Sequence, residues 1–408
     1  MREERSPYYR WIVLATVSLA STALSAVQIG LPAIGPVIAE AYGLSLAGVG
    51  WALGSVSLGM VCTLLLWGRL LDRRGDRWPL AVGMAGAALA LAGAAIFDTL
   101  VPVLFALVLA GMAGSVAAVG GGQAILSWFD HGERGFALGI RQMTVPVGGA
   151  VGAAALPRVA ASGGMTAVLA GLSGFCALAA LASAILMRSH GPHSPPRLVK
   201  PHPSSQAADP RARRLGLAGS LLMVAQSAMV GFTVLYLHDD RGWSVQAAGT
   251  LVACLELTGG GARVLAGWRS DRSGEVVVPI RRIAALCAIL LGGIAVFTAA
   301  PPLLLYPLLA AGAVATMSWN GLLFAAAIKL ASGRRLGSAF GLQATVLTAS
   351  AAVGPIVLGA TADVGSWSGL FALGALGALS AFVLLGPLSR AERGSGLGLG
   401  QPAVENLQ

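Results

Sequence analysis

The chain has 408 residues, of which 56% are hydrophobic and only 11% are charged, and its net charge is +10. A soluble domain carries about 25% charged residues, so this composition excludes a soluble multidomain enzyme as well as disordered, collagen-like and disulfide-stapled proteins. What remains is an all-α membrane protein, because lipid requires each backbone polar group to be satisfied within its own helix.

Twelve segments are apolar over roughly the 20 residues that a membrane helix needs. In chain order they cover residues 11–34, 47–67, 79–97, 101–127, 137–158, 165–187, 215–237, 246–268, 280–299, 303–328, 338–361 and 367–389. The polar stretch 188–214 predicts a flexible cytoplasmic linker between two six-helix bundles, 1–187 and 215–389. A Gly-rich, disordered tail is expected over 390–408.

The positions of lysine and arginine predict the orientation. With the N-terminus in the cytoplasm, most of the 27 basic residues fall in or next to cytoplasmic segments, and Arg158 and Arg241 lie outside. Such loops face the anionic lipid of the inner leaflet, so nucleic-acid binding is not needed to explain the net charge. We expect a multi-pass protein of the inner (cytoplasmic) membrane with both termini in the cytoplasm.

The two halves repeat each other. The run Gly68–Arg77 after the second span returns as Gly267–Gly274 after the eighth, at an offset of 199 residues. The run Glu133–Gly139 after the fourth span returns as Arg335–Gly341 after the tenth, at an offset of 202. A duplicated, pseudo-symmetric bundle of this kind encloses a binding site near the membrane midplane.

These signatures resemble the major facilitator superfamily, over essentially residues 10–390. The match to the family's loop between helices 2 and 3 consists of Gly68, Asp72, Arg73, Gly75 and Arg77, while Asp76 stands where a basic or polar residue is commoner. The resemblance implies twelve helices and a small-molecule carrier that works by alternating access. It says almost nothing about the substrate.

The resemblance also implies a cytoplasmic gate. In the family, the carboxylate at Asp72 latches the two halves together, Arg73 and Arg134 are its charged partners, and Asp271 is its counterpart in the second copy. Gly68 and Gly75 would allow the tight turn and close backbone packing. The alternative is that these arginines only enforce topology.

Three ionisable residues lie well inside predicted spans: Arg141 in the fifth, and Glu256 and Arg263 in the eighth. Such residues are costly in lipid and are functional candidates by default. Glu256 and Arg263 are two helical turns apart and therefore share a face. Since helices 5 and 8 face each other in the resembling fold, both guanidiniums would point into one cavity and suit a carboxylate or another small oxyanion.

A narrower resemblance supports an anionic substrate. Arg263-Val-Leu-Ala-Gly267 is similar to the Arg-x-x-x-Gly of monocarboxylate and oxalate–formate porters, in which the arginine binds the substrate carboxylate. The run Gly139–Gln142 is similar to one in cyanate- and nitrate-permease-like carriers. Against this, Arg263 could pair with Glu256 or a backbone carbonyl, and Arg141 could extend toward the cytoplasm. Glu256 is either the proton site or a static partner of Arg263.

In the resembling fold, helices 1, 4, 7 and 10 line the cavity, and few of their positions are polar. The predicted substrate-binding residues there are Gln28, Gln123, Gln226, Trp319 and Asn320. Each of them could instead face a neighbouring helix.

The predicted function is secondary active transport of a small, monocarboxylate-like anion by a monomer, coupled to protons. The alternatives are drug or secondary-metabolite efflux by proton antiport, and a sensor or scaffold that has lost transport. The sequence has no nucleophile with a positioned base, no metal-ligand cluster and no nucleotide-binding loop. We therefore expect neither an enzyme nor an ATP-driven pump, and no cofactor.

Overall fold

A computed structural model describes residues 8–120, 125, 128–129, 133–187, 209–330 and 336–394. For 134–136, 138, 336–341 and 365 it describes the backbone path only. The described residues form helices joined by short turns, and we number the longer helices along the chain. They are α1 Tyr9–Tyr42, α2 Leu46–Arg74, α3 Arg77–Ala94, α4 Leu100–Val119, α5 and α6 within Arg134–Leu186, α7 Pro210–Asp239, α8 Val245–Ser273, α9 Val277–Val296, α10 Pro302–Leu330, α11 Leu336–Gly365, α12 Trp367–Leu384 and α13 Gly386–Gly394.

Among the described residues, ten helical stretches are long and apolar enough to cross a membrane. One of them, Gly139–Leu186, has 48 residues, far more than the roughly 20 that a bilayer requires. It is broken at Gly163 and Gly164, where the backbone leaves helical geometry, and so contains α5 and α6. Helix α8 is long enough but less apolar, because it carries Glu256 among several glycines. The chain therefore has the twelve-helix architecture that the sequence predicts.

Several helices are interrupted. In α1, a 3-10 turn over Leu31–Ile34 separates two α-helical parts, and Pro32 lies in that turn. Helix α4 is interrupted at Ser115 and α10 at Ser318 and Trp319. Each break leaves carbonyl groups without the intrahelical donors that they would otherwise have.

The described residues divide into two compact units. The first comprises the described part of Met1–Pro196 with Val230–Leu257 and Pro355–Ala360. The second comprises the described parts of Arg197–Met229, Thr258–Gly354 and Thr361–Gln408. Helices α7, α8 and α11 therefore contribute to both units. The predicted bundle boundary at 188–214 stays a prediction.

In the first unit, glycines allow α1 and α5 to pack closely. A β-carbon added at Gly152 would lie 2.5 Å from Cα of Gly30, and one at Gly148 would lie 2.5 Å from Cβ of Ser25. Small residues at a spacing of four let two membrane helices approach at the backbone. Helix packing thus accounts for these glycines in the fifth span.

The two copies of the loop repeat end in the same backbone geometry. Gly75 has φ +73° and Gly274 has φ +71°, a region that side chains with a β-carbon rarely adopt. Each donates its N–H to the carbonyl four residues earlier, at Leu71 and Ser270, over 2.9 Å. The tight turn predicted at Gly75 is therefore present. A β-carbon at Gly68 would meet nothing within 4 Å, so this glycine makes no close backbone packing in the described chain.

The second unit ends in a short helix that binds the start of α9. The Glu392 carboxylate, only 5% exposed, accepts the backbone N–H groups of Val276, Val277 and Val278 at 2.8, 2.9 and 2.9 Å. It satisfies donors that the first turn of a helix otherwise leaves unpaired. Helix α13 extends to Gly394, so the tail predicted from residue 390 begins too early.

Candidate functional site

The break in α10 gathers polar groups in the second unit. Arg263 Nε donates to the Met317 carbonyl at 3.2 Å, and Asn320 Nδ2 reaches the same oxygen at 3.4 Å. Asn320 Nδ2 also donates to Gln226 Oε1 on α7 at 3.0 Å. Three of the predicted substrate-binding residues therefore meet at one point, where the first half of α10 ends.

Trp319 lies inside this break. Its side chain is fully buried, and its indole Nε1 has no hydrogen-bond partner among the described residues. A buried donor of this kind costs about 1–3 kcal/mol if nothing satisfies it. Trp319 is thus the predicted residue with the clearest unused donor.

Arg141 plays a comparable part in the first unit. Its Nη2 donates to the carbonyls of Ala118 at 2.7 Å and Ala117 at 3.4 Å, which lie in the last turn of α4. Its Nε is buried and has no partner within the described residues. In each unit, then, an intramembrane arginine donates to a backbone carbonyl near the end of a helical stretch on a neighbouring helix.

Glu256 is buried in the first unit and is only 4% exposed. A β-carbon at Gly149 would lie 3.1 Å from its carboxyl carbon and 3.3 Å from Oε2. The absence of a side chain at Gly149 therefore makes room for the carboxyl group. Within the first unit, α5 therefore packs against the part of α8 that carries Glu256.

The comparisons with known proteins agree with this architecture. The profile of the Major Facilitator Superfamily matches residues 14–332. The chain belongs to the Major Facilitator Superfamily. Uncharacterized MFS-type transporters from two strains of Mycobacterium tuberculosis are 35% and 34% identical to it over 374 residues, which is 89% of this chain and 82% of each relative.

Solved structures of the superfamily share the fold. A bacterial homologue of the human lysosomal transporter Spinster, inward-facing and occupied, matches with a TM-score of 0.74 at 16% identity, over 94% of this chain and 96% of that one. The nucleoside transporter NupG gives 0.72 at 14% identity, over 91% and 98%. A D-xylose–proton symporter gives 0.72 at 16% identity, over 91% and 97%. The predicted family is confirmed, and this MFS protein is a multi-pass secondary transporter of a small molecule.

The remaining predicted site residues of this MFS transporter belong to other parts of the sequence. Gln28 Nε2 donates to Ser57 Oγ on α2 at 2.8 Å, so it faces a neighbouring helix. Gln123 lies outside the described residues. The gating candidates Asp72, Arg73 and Asp271 are exposed at the ends of α2 and α8. Arg134 is the first residue of α5, and the structure describes only its backbone.

Nothing in the described part of the chain resembles a metal site. No group of three or more His, Cys, Asp or Glu residues is placed to hold an ion there. The ring Nδ1 of His238, near Asp239 and Asp240, lies 2.7 Å from the Trp243 carbonyl, which is an ordinary turn contact.

Two polar residues escaped the sequence analysis. Gln343 in α11 is 4% exposed, and its Nε2 has no partner among the described residues. Its signal was available, because the repeat offset of 202 places it opposite Arg141. The contact of Glu392 could not be predicted from the sequence, since a carboxylate in a polar C-terminal segment is expected to be solvent-exposed.

Proposed function

We propose that this MFS transporter carries small organic anions through a carboxylate-binding site at Arg263, coupled to protons through Glu256. The observation that carries the proposal is the guanidinium of Arg263, held at the break of α10 by the Met317 carbonyl over 3.2 Å. The function goes beyond what family membership establishes, and it is tested below.

The surroundings of Arg263 favour an oxyanion. A hydrogen bond at Nε fixes the plane of the guanidinium, and a fixed plane presents the two-donor geometry that matches a carboxylate. The amides of Asn320 and Gln226 add neutral hydrogen-bonding groups at the same break of α10. A guanidinium beside neutral amides suits a ligand of single negative charge.

The surroundings of Glu256 favour a proton-carrying role. A carboxylate that is 4% exposed and packed against Gly149 is costly to keep charged inside a membrane helix and is a functional candidate. A site that gains and loses a proton during transport meets that cost in only part of the cycle. One structure that shares the fold is named as a proton symporter, so the fold is compatible with such coupling.

The first test is uptake of labelled carboxylates into proteoliposomes, with Arg263→Lys as the variant. Lysine keeps the charge but loses the planar pair of donors. Affinity should fall by about 1.5–3 kcal/mol, or about 10- to 150-fold, the scale of a hydrogen bond to a charged group. Because the Met317 contact is also lost, unfolding and ligand affinity are measured separately.

The matched control is Arg269→Lys, since Arg269 lies in the same helix and is exposed. It should leave affinity unchanged. If added carboxylates raise the thermal midpoint of wild type and of Arg263→Lys equally, Arg263 does not bind the substrate. Efflux of a cationic dye without anion uptake by the wild-type protein would support the drug-antiport alternative instead.

The second test addresses coupling with Glu256→Gln. Without an ionisable group, accumulation driven by a pH gradient should be abolished, while exchange of labelled for unlabelled substrate should continue. Glu40→Gln is the control, because Glu40 is exposed at the end of α1. Accumulation retained by Glu256→Gln would exclude it as the coupling site.

A further inference from the structure

The sequence repeat pairs Arg141 with Gln343. The offset of 202 that aligns Glu133–Gly139 with Arg335–Gly341 continues by two residues to these positions. Both stand near the start of their helices, α5 and α11, at equivalent heights in the two copies. The second copy therefore has a neutral glutamine at the position where the first copy has an arginine.

In the second copy, residues other than Gln343 donate hydrogen bonds to a backbone carbonyl of the tenth helix. Arg141 binds the carbonyl of Ala118 in α4 at 2.7 Å. In α10, the counterpart of α4, the Met317 carbonyl accepts from Arg263 and Asn320; at the offset of 202, Met317 aligns with Ser115. Gln343 Nε2 binds no carbonyl of the described chain as Arg141 does.

The amide of Gln343 is nevertheless buried. The residue is 4% exposed, and Nε2 has no hydrogen-bond partner in the part of the chain that the structure describes. A β-carbon at Gly219 on α7 would lie 2.9 Å from this nitrogen and 2.5 Å from Leu323 Cδ2 on α10. An unsatisfied buried donor costs about 1–3 kcal/mol, and such a group calls for an explanation.

The position of the amide relates it to the α10 break within the same unit. Gly219 and Gln226 are seven residues apart on one face of α7, or about 10 Å along the helix. Leu323 follows Asn320 by three residues on α10, again on one face. Gln343 thus lies near the same two helices as the Gln226–Asn320 pair, displaced by about two turns along α7 and by less than one turn along α10.

We propose that Gln343 is a second substrate-binding residue, which donates from Nε2 to an acceptor oxygen on the end of the anion remote from Arg263. This inference rests on the proposed function, because it takes the carboxylate to bind at Arg263. It narrows the substrate class to short organic acids with a terminal hydroxyl or carbonyl oxygen. The offset of Gln343 from the Gln226–Asn320 pair is about 10 Å along α7 and about 4.5 Å along α10, a range that short chains of about four to six carbons bracket.

The test uses pairs of acids that differ by one oxygen and not in charge, namely 4-hydroxybutyrate against butyrate and 6-hydroxyhexanoate against hexanoate. Binding to the purified full-length protein is measured by calorimetry, for wild type and Gln343→Met. Methionine has a similar length and shape and lacks the donor. We expect wild type to prefer at least one hydroxy acid about fivefold to tenfold, the worth of one neutral hydrogen bond, and the variant to lose that preference while binding the unsubstituted acid normally.

A second readout separates binding from structure. Removing a donor that has no internal partner should leave the thermal midpoint of the ligand-free protein unchanged or raised. Gln142→Met, at an exposed glutamine of α5, is the control for the chemical change and should keep the preference. Gln343→Leu replaces the methionine variant if the latter does not fold.

The outcomes distinguish the two proposals. If wild type binds both acids of each pair equally, or if Gln343→Met weakens both equally or lowers the midpoint with the preference intact, the role of Gln343 is overturned and the anion site stands. If wild type binds none of the acids, the proposed function fails and this inference fails with it.

Discussion

Replacing Gly149 by alanine should disturb the site around Glu256 more than any other single methyl group in α5. The added β-carbon would lie 2.7 Å from Ile29 Cγ2, 3.1 Å from the Glu256 carboxyl carbon and 3.3 Å from its Oε2. The Ile29 methyl is attached directly to Cβ and cannot swing away as the end of a long side chain can. Either α1 or the carboxyl group must therefore move.

The magnitude follows from two opposing effects. Inserting a methyl group into a packed helix contact costs about 1–3 kcal/mol, while alanine stabilises a helix interior by about 0.5–1 kcal/mol relative to glycine. Gly174→Ala isolates the second effect, because a β-carbon there would meet nothing within 4 Å. The difference in unfolding free energy between the two variants should then equal the packing cost alone, about 1–3 kcal/mol.

The assay heats both purified variants and the wild type and measures the fraction that remains monodisperse at each temperature. Transport driven by a pH gradient is measured in parallel. We expect Gly149→Ala to melt below wild type and to transport more slowly, and Gly174→Ala to melt at or above wild type with normal transport. If Gly149→Ala matches Gly174→Ala in both measurements, the contact between Gly149 and Glu256 does not constrain the site and the reasoning is wrong.

Two further predictions concern regions outside the membrane core. Asp72→Asn should slow transport without lowering thermal stability, since Asp72 is exposed at the end of α2. It should also increase the labelling of a cysteine introduced on the cytoplasmic side. Unchanged labelling together with wild-type turnover would exclude the predicted latch. Glu392→Gln keeps only one acceptor oxygen for the three N–H groups at the start of α9. It should cost about 1.5–3 kcal/mol and speed tryptic cleavage at Arg390 and Arg393, whereas an unchanged cleavage rate would show that α13 is held by other contacts.

The sequence alone predicts the class, the number of helices and the duplication. Each depends on quantities that do not require a partner: the length of an apolar run is fixed by bilayer thickness, and a turn with positive φ selects glycine wherever it occurs. The repeat aligns Gly75 with Gly274, and the two glycines have the same backbone geometry. The charged residues Glu256 and Arg263 within the eighth span likewise marked α8 as unusual, and α8 is indeed less apolar than its neighbours.

The direction in which each polar side chain points was decided only by the tertiary structure. Gln28 binds Ser57, Asn320 binds Gln226, and Gln343 Nε2 remains buried without a hydrogen-bond partner in the described residues. In a soluble helix the apolar face marks the core, but lipid is as apolar as a protein interior. The contrast between faces that would fix the rotation of a helix is therefore weak in these spans.

The carbonyls that Arg141 and Arg263 bind could not be identified from the sequence either. Helix α10 is interrupted at Ser318 and Trp319, where neither proline nor a glycine pair marks an interruption. At this interruption a carbonyl lacks its intrahelical donor, and the guanidinium of Arg263 donates to it instead. This hydrogen bond exists only when α8 and α10 are packed together. The sequence could show that Arg263 lies within a membrane helix, whereas the carbonyl that it binds was set by the fold.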